Sequence, residues 1–386
     1  MPQATSNRIQ WIDEYKGFVL LLVCLYHLEQ SFANIQMGME HLSAFRMSAF
    51  FFISGVLFST RRFPTFKSYF LHKTKVLLLP YITLSLLFLA LDPVIYNFDW
   101  FPRAPKMSIM NIHPVINDVK DYIFWNLAKI FIAGKSSVGS GPIWFVFTLY
   151  SISLLFYLVQ KITNKLFNGR DIIFRNTTIV PKIFIAIVAC ASLAAGWLLY
   201  KNHIRLPLGI ERDLTTLFFF ACGYLCKGIL NAGNATTATF YKQILFAIFS
   251  IVAFVLYALI EPADPNFSIM NNDLGKNFWV FLASSAFGIL GLIGIFQIFL
   301  RAPLAIVKGI LRNISRNALI ILAVHWWVLL VLRIIFKTDL DKPGIAYIAL
   351  PIVIAAVIAA IPLFRSKLYR LLGKEKISVQ ESLSLK

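Results

Sequence analysis

The sequence predicts an all-α, polytopic transmembrane helix bundle of about ten spans with both termini cytoplasmic. Three observations carry that reading. The 386 residues are 58% hydrophobic and only 14% charged, with a mean hydropathy of +0.72, which is too apolar for an ordinary soluble domain. Apolar runs of roughly 20 residues, the length of a helix that crosses a bilayer, recur along the whole chain. The charge is also lopsided: with the N-terminus and alternate loops on one side, that side holds 24 of the 37 basic residues and 5 of the 18 acidic ones. Lys and Arg collect on the cytoplasmic face of membrane proteins, which orients the bundle.

Taken in order, the runs centre near Val23, Phe51, Leu86, Leu149, Val188, Phe220, Ile251, Ile289, Val324 and Ala355, the second and sixth being the shortest. The stretch "STRRFPTFKSYFLHKTK" after the second run is the strongest cytoplasmic marker. Most connections are short. The exception is the outer loop 92–141, whose segment "VKDYIFWNLAKIFIAG" is amphipathic and is expected to lie on the interface or dip in as a lid. Residues 365–386 read as a short cytoplasmic tail rich in Lys, Ser and Glu, so 1–386 is expected to be one membrane-embedded unit without a cleaved leader.

Several function classes recede on these grounds. The formal charge of +19 is spread through interhelical loops instead of forming a basic domain, which argues against nucleic acid. Cys24, Cys190, Cys222 and Cys226 all fall inside runs, which argues against a disulfide framework or a zinc site, and no metal is expected. The two halves show no repeat, which tells against inverted-repeat transporters.

Chemistry is carried by polar residues that a span tolerates only at a cost. In "EYKGFVLLLVCLYHLEQ", Lys16 and His27 are eleven residues apart; on a helix that is three turns plus about 20°, with a rise of about 16 Å, so both lie on one face. Asp13, three residues before Lys16, shares that face and is placed to hold the ammonium. The plain alternatives are a snorkelling anchor for Lys16 and a carbonyl-bonded packing residue for His27. In "FRMSAFFFISGVLFSTRRF", Arg46 falls near the outer boundary at a depth close to His27. Ser54 and Gly55 read either as helix packing or as a substrate contact. Arg61 and Arg62, then Lys73 and Lys75 before "LLLPY", form a basic rim on the cytoplasmic side, where an anionic nucleotide would arrive. His325, in "RNALIILAVHWWVLLVLR", sits about 14 Å above Arg316, again near mid-depth. Trp144, in "GPIWFVF", is either a belt aromatic or a substrate platform.

The order of these pieces carries a resemblance. Asp13, the Lys16-x10-His27 pair, "FFFISG", the basic stretch leading to "LLLPY", "GPIWF" and "RNALIILAVH" are similar to the acyltransferase-three family of ten-span membrane O-acyltransferases of bacterial glycans. "WIDEYKG" and "LPLGIERDLTTLFFFACGYL" most resemble its fucose 4-O-acetylase-like branch. The resemblance covers nearly the whole chain. It implies a multi-pass protein of the bacterial cytoplasmic membrane, with acetyl-CoA as donor and a sugar hydroxyl of a lipid-linked or surface glycan as acceptor. It assigns Lys16 to the donor site and His27 to catalysis. Asp13, Arg61, Arg62, Lys73 and Lys75 would complete the donor mouth. Arg46 would stabilise an oxyanion or orient the acceptor, and His325 would be a relay, an acceptor contact or a structural histidine. The 16 Å between Lys16 and His27 suits an extended pantetheine arm.

Two departures from the family are visible. Lys16 replaces the more usual Arg, exchanging a bidentate phosphate contact for a point charge. Arg46 stands where the related branch commonly has a histidine. The outer hydrolase-like domain of some relatives has no counterpart here. The rival readings are a transporter or flippase for a glycan precursor or small metabolite, and a membrane sensor.

Overall fold

A computed structural model describes residues 10–32, 37–61, 63–97, 109–167, 179–232, 240–264, 267–299, 303–336, 342 and 344–373. Among these residues the chain is helical throughout, with two isolated β-bridges and no strand. The helices are α1 (Gln10–Ser31), α2 (Ser43–Val56), α3 (Phe66–Lys73), α4 (Leu79–Asn97), α5 (Val119–Phe131), α6 (Trp144–Phe167), α7 (Ile179–Lys201), α8 (Ile210–Ala232), α9 (Phe240–Ile260), α10 (Phe278–Phe299), α11 (Ala305–Arg316), α12 (Ala318–Ile335) and α13 (Ile345–Ser366).

Ten of these helices coincide with the expected runs, but only eight segments among the described residues are long and apolar enough to cross a bilayer. The two that fall short are α1 and α2. Four Asp, Glu or Lys residues, Asp13, Glu14, Lys16 and Glu29, interrupt α1. Fourteen residues of α2 span about 21 Å, against a hydrocarbon core of about 30 Å. The reason is placement. Eleven of the fourteen α2 residues are buried against other helices, so α2 answers to protein neighbours and not to lipid. The outer helices meet the length rule because lipid is their solvent: α13, for instance, exposes Tyr347, Ile348, Ile354 and Ile358.

Backbone contact at small residues seats α1 and α2. A Cβ on Gly55 would lie 1.9 Å from the carbonyl oxygen of Phe220, and one on Gly223 would lie 1.8 Å from that of Phe52, so α2 and α8 touch reciprocally through glycine. In α1, a Cβ on Gly17 would lie 2.0 Å from the Leu311 oxygen of α11.

Helix α3 runs into α4 through a π turn, Thr74–Leu78. Pro80 follows it, lacks an N–H and would press its ring on the carbonyl four residues back, and the wider turn relieves that clash. The amphipathic segment of the long loop is helical as α5. Asp118 caps it by accepting from the Asp121 N–H at 2.8 Å. Tyr122, Asn126 and Ile130, spaced at i, i+4 and i+8, turn inward, while Phe124 and Phe131 stay exposed.

Candidate active site

Two groups of residues stand along α1. At its N-terminal end, Lys16 is half-buried with its Nζ 6.0 Å from the ring centre of Phe50. Lys73, from the end of α3, points its Nζ at Tyr69, 5.3 Å from the ring centre, and lies near enough to Lys16 for the two ammonium groups to repel. Two cations held together among aromatic rings form a receptive place for an anion. Asp13 is buried one turn below Lys16, and its neighbour Glu14 pairs with Arg312 of α11, Oε1 to Nε 3.7 Å. Lys75 and Arg61 are exposed, Arg61 on the turn after α2. Arg62 lies outside the described residues.

Three turns further along α1, His27 meets α12. Its ring centre is 5.6 Å from that of His325 and 4.8 Å, edge-on, from Trp326. The Nδ1 of His325 lies 2.7 Å from the Ile321 carbonyl oxygen, which can only accept, so the imidazole carries a proton there. Its Nε2, and Nδ1 of His27, have no hydrogen-bond partner among the described residues. The two intramembrane histidines read at similar depth on separate helices are therefore neighbours in space. Arg46 is buried and lays its guanidinium over Tyr26, 3.9 Å from the ring centre, while its Nη1 donates to the Met39 oxygen at 2.8 Å. It stands beside the histidine pair by way of the residue next to His27.

The remaining candidates are tied into packing. Ser54 donates to the Phe50 oxygen of its own helix at 2.8 Å. Trp144 is buried with the Arg212 guanidinium 5.3 Å from its ring centre. His41, just before α2, pairs with Glu261 at 3.1 Å.

Sequence reasoning missed a shelf of buried and half-buried residues, 133–141, beside the histidines. Trp326 Nε1 donates to the Val138 oxygen at 2.8 Å, and Gly141, at φ +40°, leaves room for the same indole, 2.3 Å from where a Cβ would sit. Asp92 of α4 accepts from the Gly139 N–H at 3.3 Å and from the Tyr122 hydroxyl at 3.2 Å. Asn126 accepts from the Val138 N–H at 3.3 Å. Arg212 of α8 donates to the Gly134 oxygen at 3.1 Å. A run of Ser and Gly before "GPIW" was the available signal, since small residues let backbone approach backbone.

Two lysines on this side lie outside the membrane-spanning segments. Burial pushes Lys129 down to about 8, against the pull of Asp92. Burial, then the neighbouring Lys129, Arg212 and Arg205, push Lys135 to about 8.

A family model described as an acyltransferase domain, that of the acyltransferase-three family, matches residues 9–365, from below Lys16 to the end of α13. The chain belongs to the acyltransferase-three family. No curated protein and no solved structure matches it. This membrane acyltransferase thus holds both the lysine end and the histidine end of α1 within the matched region, together with the shelf and the α12 histidine. Membership favours a transferase over a transporter or a sensor. Among the described residues, no three His, Cys, Asp or Glu side chains gather closely enough to hold a metal ion. The chemistry open to the acyltransferase at this place is that of imidazole: proton transfer or transient acyl carriage.

Proposed function

We propose that this acyltransferase moves an acetyl group from acetyl-CoA to a sugar hydroxyl of a lipid-linked or cell-surface glycan, in the cytoplasmic membrane of a bacterium. One observation carries the reading: a pair of imidazoles in ring contact, three turns of one helix away from a pair of lysines. The lysine pair suits the phosphates of a nucleotide donor, with Lys75 and Arg61 as an outer rim and Asp13 steadying Lys16. The long pantetheine arm then brings the thioester toward His27.

In the reaction, His27 takes the proton from the acceptor hydroxyl as its oxygen attacks the thioester carbonyl. The C–O bond forms, the C–S bond breaks, and the imidazolium returns its proton to the CoA thiolate. A positioned base of this kind contributes roughly 10² to 10⁴-fold. His325, with Nδ1 committed to Ile321, offers Nε2 as a relay. Arg46 acts on the oxyanion or the acceptor through its place beside Tyr26. The reading is supported by family membership and by the geometry of α1, α2 and α12.

The first test needs no acceptor: thermal stabilisation of the purified protein by acetyl-CoA and by free CoA. Lys16→Ala is expected to weaken binding on the order of tenfold or more, as loss of a desolvated charge partner does, while His27→Ala retains it. A well-folded wild type that neither ligand stabilises at millimolar concentration overturns the donor assignment.

A further inference from the structure

Helix α11 belongs to none of the eight crossing segments. It is separated from the end of α10 by five residues and from the start of α12 by Asn317 alone, so both its ends are tied to a membrane face. Its twelve residues, "AIVKGILRNISR", contain three cations and no carboxylate. The sides of the helix divide sharply. Leu311 and Ser315 are buried against the bundle, whereas Ile306 (80% exposed), Ile310 (54%) and Val307 form an apolar stripe with no protein over it. Lys308, Arg312 and Arg316 follow one another at i, i+4 and i+8 on the flank away from that stripe.

We propose that α11 is an anionic-phospholipid site, with Ile306, Val307 and Ile310 lying among the acyl chains and Lys308 and Arg316 meeting the headgroup phosphate. An apolar stripe on one side and cations on the opposite side, fixed at the level of the bilayer surface by the helices before and after it, match this ligand on both counts. A free anion explains the cations but leaves the stripe bare. Arg312 binds Glu14 and donates to Gln10 at 3.0 Å, which fastens α11 to α1, while Lys308 sits with its Nζ 5.4 Å from the ring centre of Phe299 and also acts on the Glu14 carboxylate, so it meets the headgroup from a position shared with α1. The site therefore rests against the helix that carries Lys16, at the point where Gly17 touches Leu311.

The test is native mass spectrometry of the full chain released from nanodiscs holding equal phosphatidylglycerol and phosphatidylcholine. The wild type is expected to retain phosphatidylglycerol preferentially. Lys308→Gln and Arg316→Gln should each lower that preference roughly fivefold, in line with one cation near an anionic leaflet, and Ile306→Ser with Ile310→Ser should lower retention of both lipids. Lys161→Gln with Lys165→Gln, on α6, serves as the control and should change nothing. The proposal falls if the wild type shows no preference, if the control loses as much, or if ten-millimolar-scale inorganic phosphate abolishes the preference. None of these readouts depends on acetyl-CoA, so the lipid site and the donor site stand or fall separately.

Discussion

Trp326 is held on three sides, by the Val138 oxygen, by Gly141 and by the edge of His27. Replacing it with Phe keeps most of the ring but removes the indole donor from the half-buried Val138 carbonyl, which keeps the Gly141 N–H at 3.3 Å, a loss of about 0.5–1.5 kcal/mol for one hydrogen bond. Trp326→Phe is therefore expected to lower thermal stability modestly and to lower CoA release from acetyl-CoA in native membranes more than Lys75→Ala does. Equal effects on release would remove Trp326 from the site. His27→Ala should reduce the same release by roughly 10² to 10⁴-fold in protein that still folds and still binds CoA; undiminished release would end the proposed mechanism. At this scale the sequence was legible where a residue type is costly in a span: Lys16, His27 and His325 stand out because charge and imidazole are rare among apolar neighbours. Tyr26 and Trp326 did not stand out, because aromatic residues are common in such helices. Asp92 was read as the first residue of a loop; it is fully buried on α4, bonded to the shelf.

Among the elements, the close approach of α2 to α8 rests on Gly55 and Gly223, whereas Gly228 of the same α8 faces open space. Gly55→Ala is expected to destabilise the protein by about 1–3 kcal/mol, since a methyl there meets backbone. Gly228→Ala should be neutral or raise stability by roughly 0.5–1 kcal/mol through helix propensity. Thermal melts of both variants in one detergent make the comparison, and similar losses would show that the glycines do not set the helix spacing. Hydropathy located ten helices and counted α1 and α2 among the spans, although only eight segments among the described residues are long and apolar enough to cross a bilayer. A run of apolar residues looks the same whether lipid or protein covers it, and only neighbours reveal which. The separate helix α11 was invisible as an element because twelve residues carrying three cations are too few and too polar for a span signal.

For the whole molecule, the buried lysines give a pH dependence of fixed sign. Lys129 and Lys135 release their protons near pH 8 in the folded protein, against an ordinary value of 10.5. Between those values the unfolded chain binds more protons, so folding stability rises as pH increases from about 8 toward 10.5. Below pH 8 the burial cost of both charges is carried in full. Lys129→Met is expected to raise stability at pH 7 and to flatten the rise above pH 8, read by thermal melts across that range; an unchanged slope would mean that Lys129 reaches water. The orientation expected from the charge count is testable at the same scale. In a cysteine-free background, a cysteine in place of Ser59 should react only from the cytoplasm and one in place of Asn111 only from outside, and reversed labelling would turn the donor mouth outward.

The π turn between α3 and α4 sets an azimuth. A wide turn takes one more residue than an α turn, so all that precedes it is rotated by about 100° relative to an unbroken helix. Lys73 owes its heading toward Lys16 to that phase shift, and a chain shortened by one residue at Val76 would keep its hydropathy profile and its cations while steering Lys73 away from Lys16.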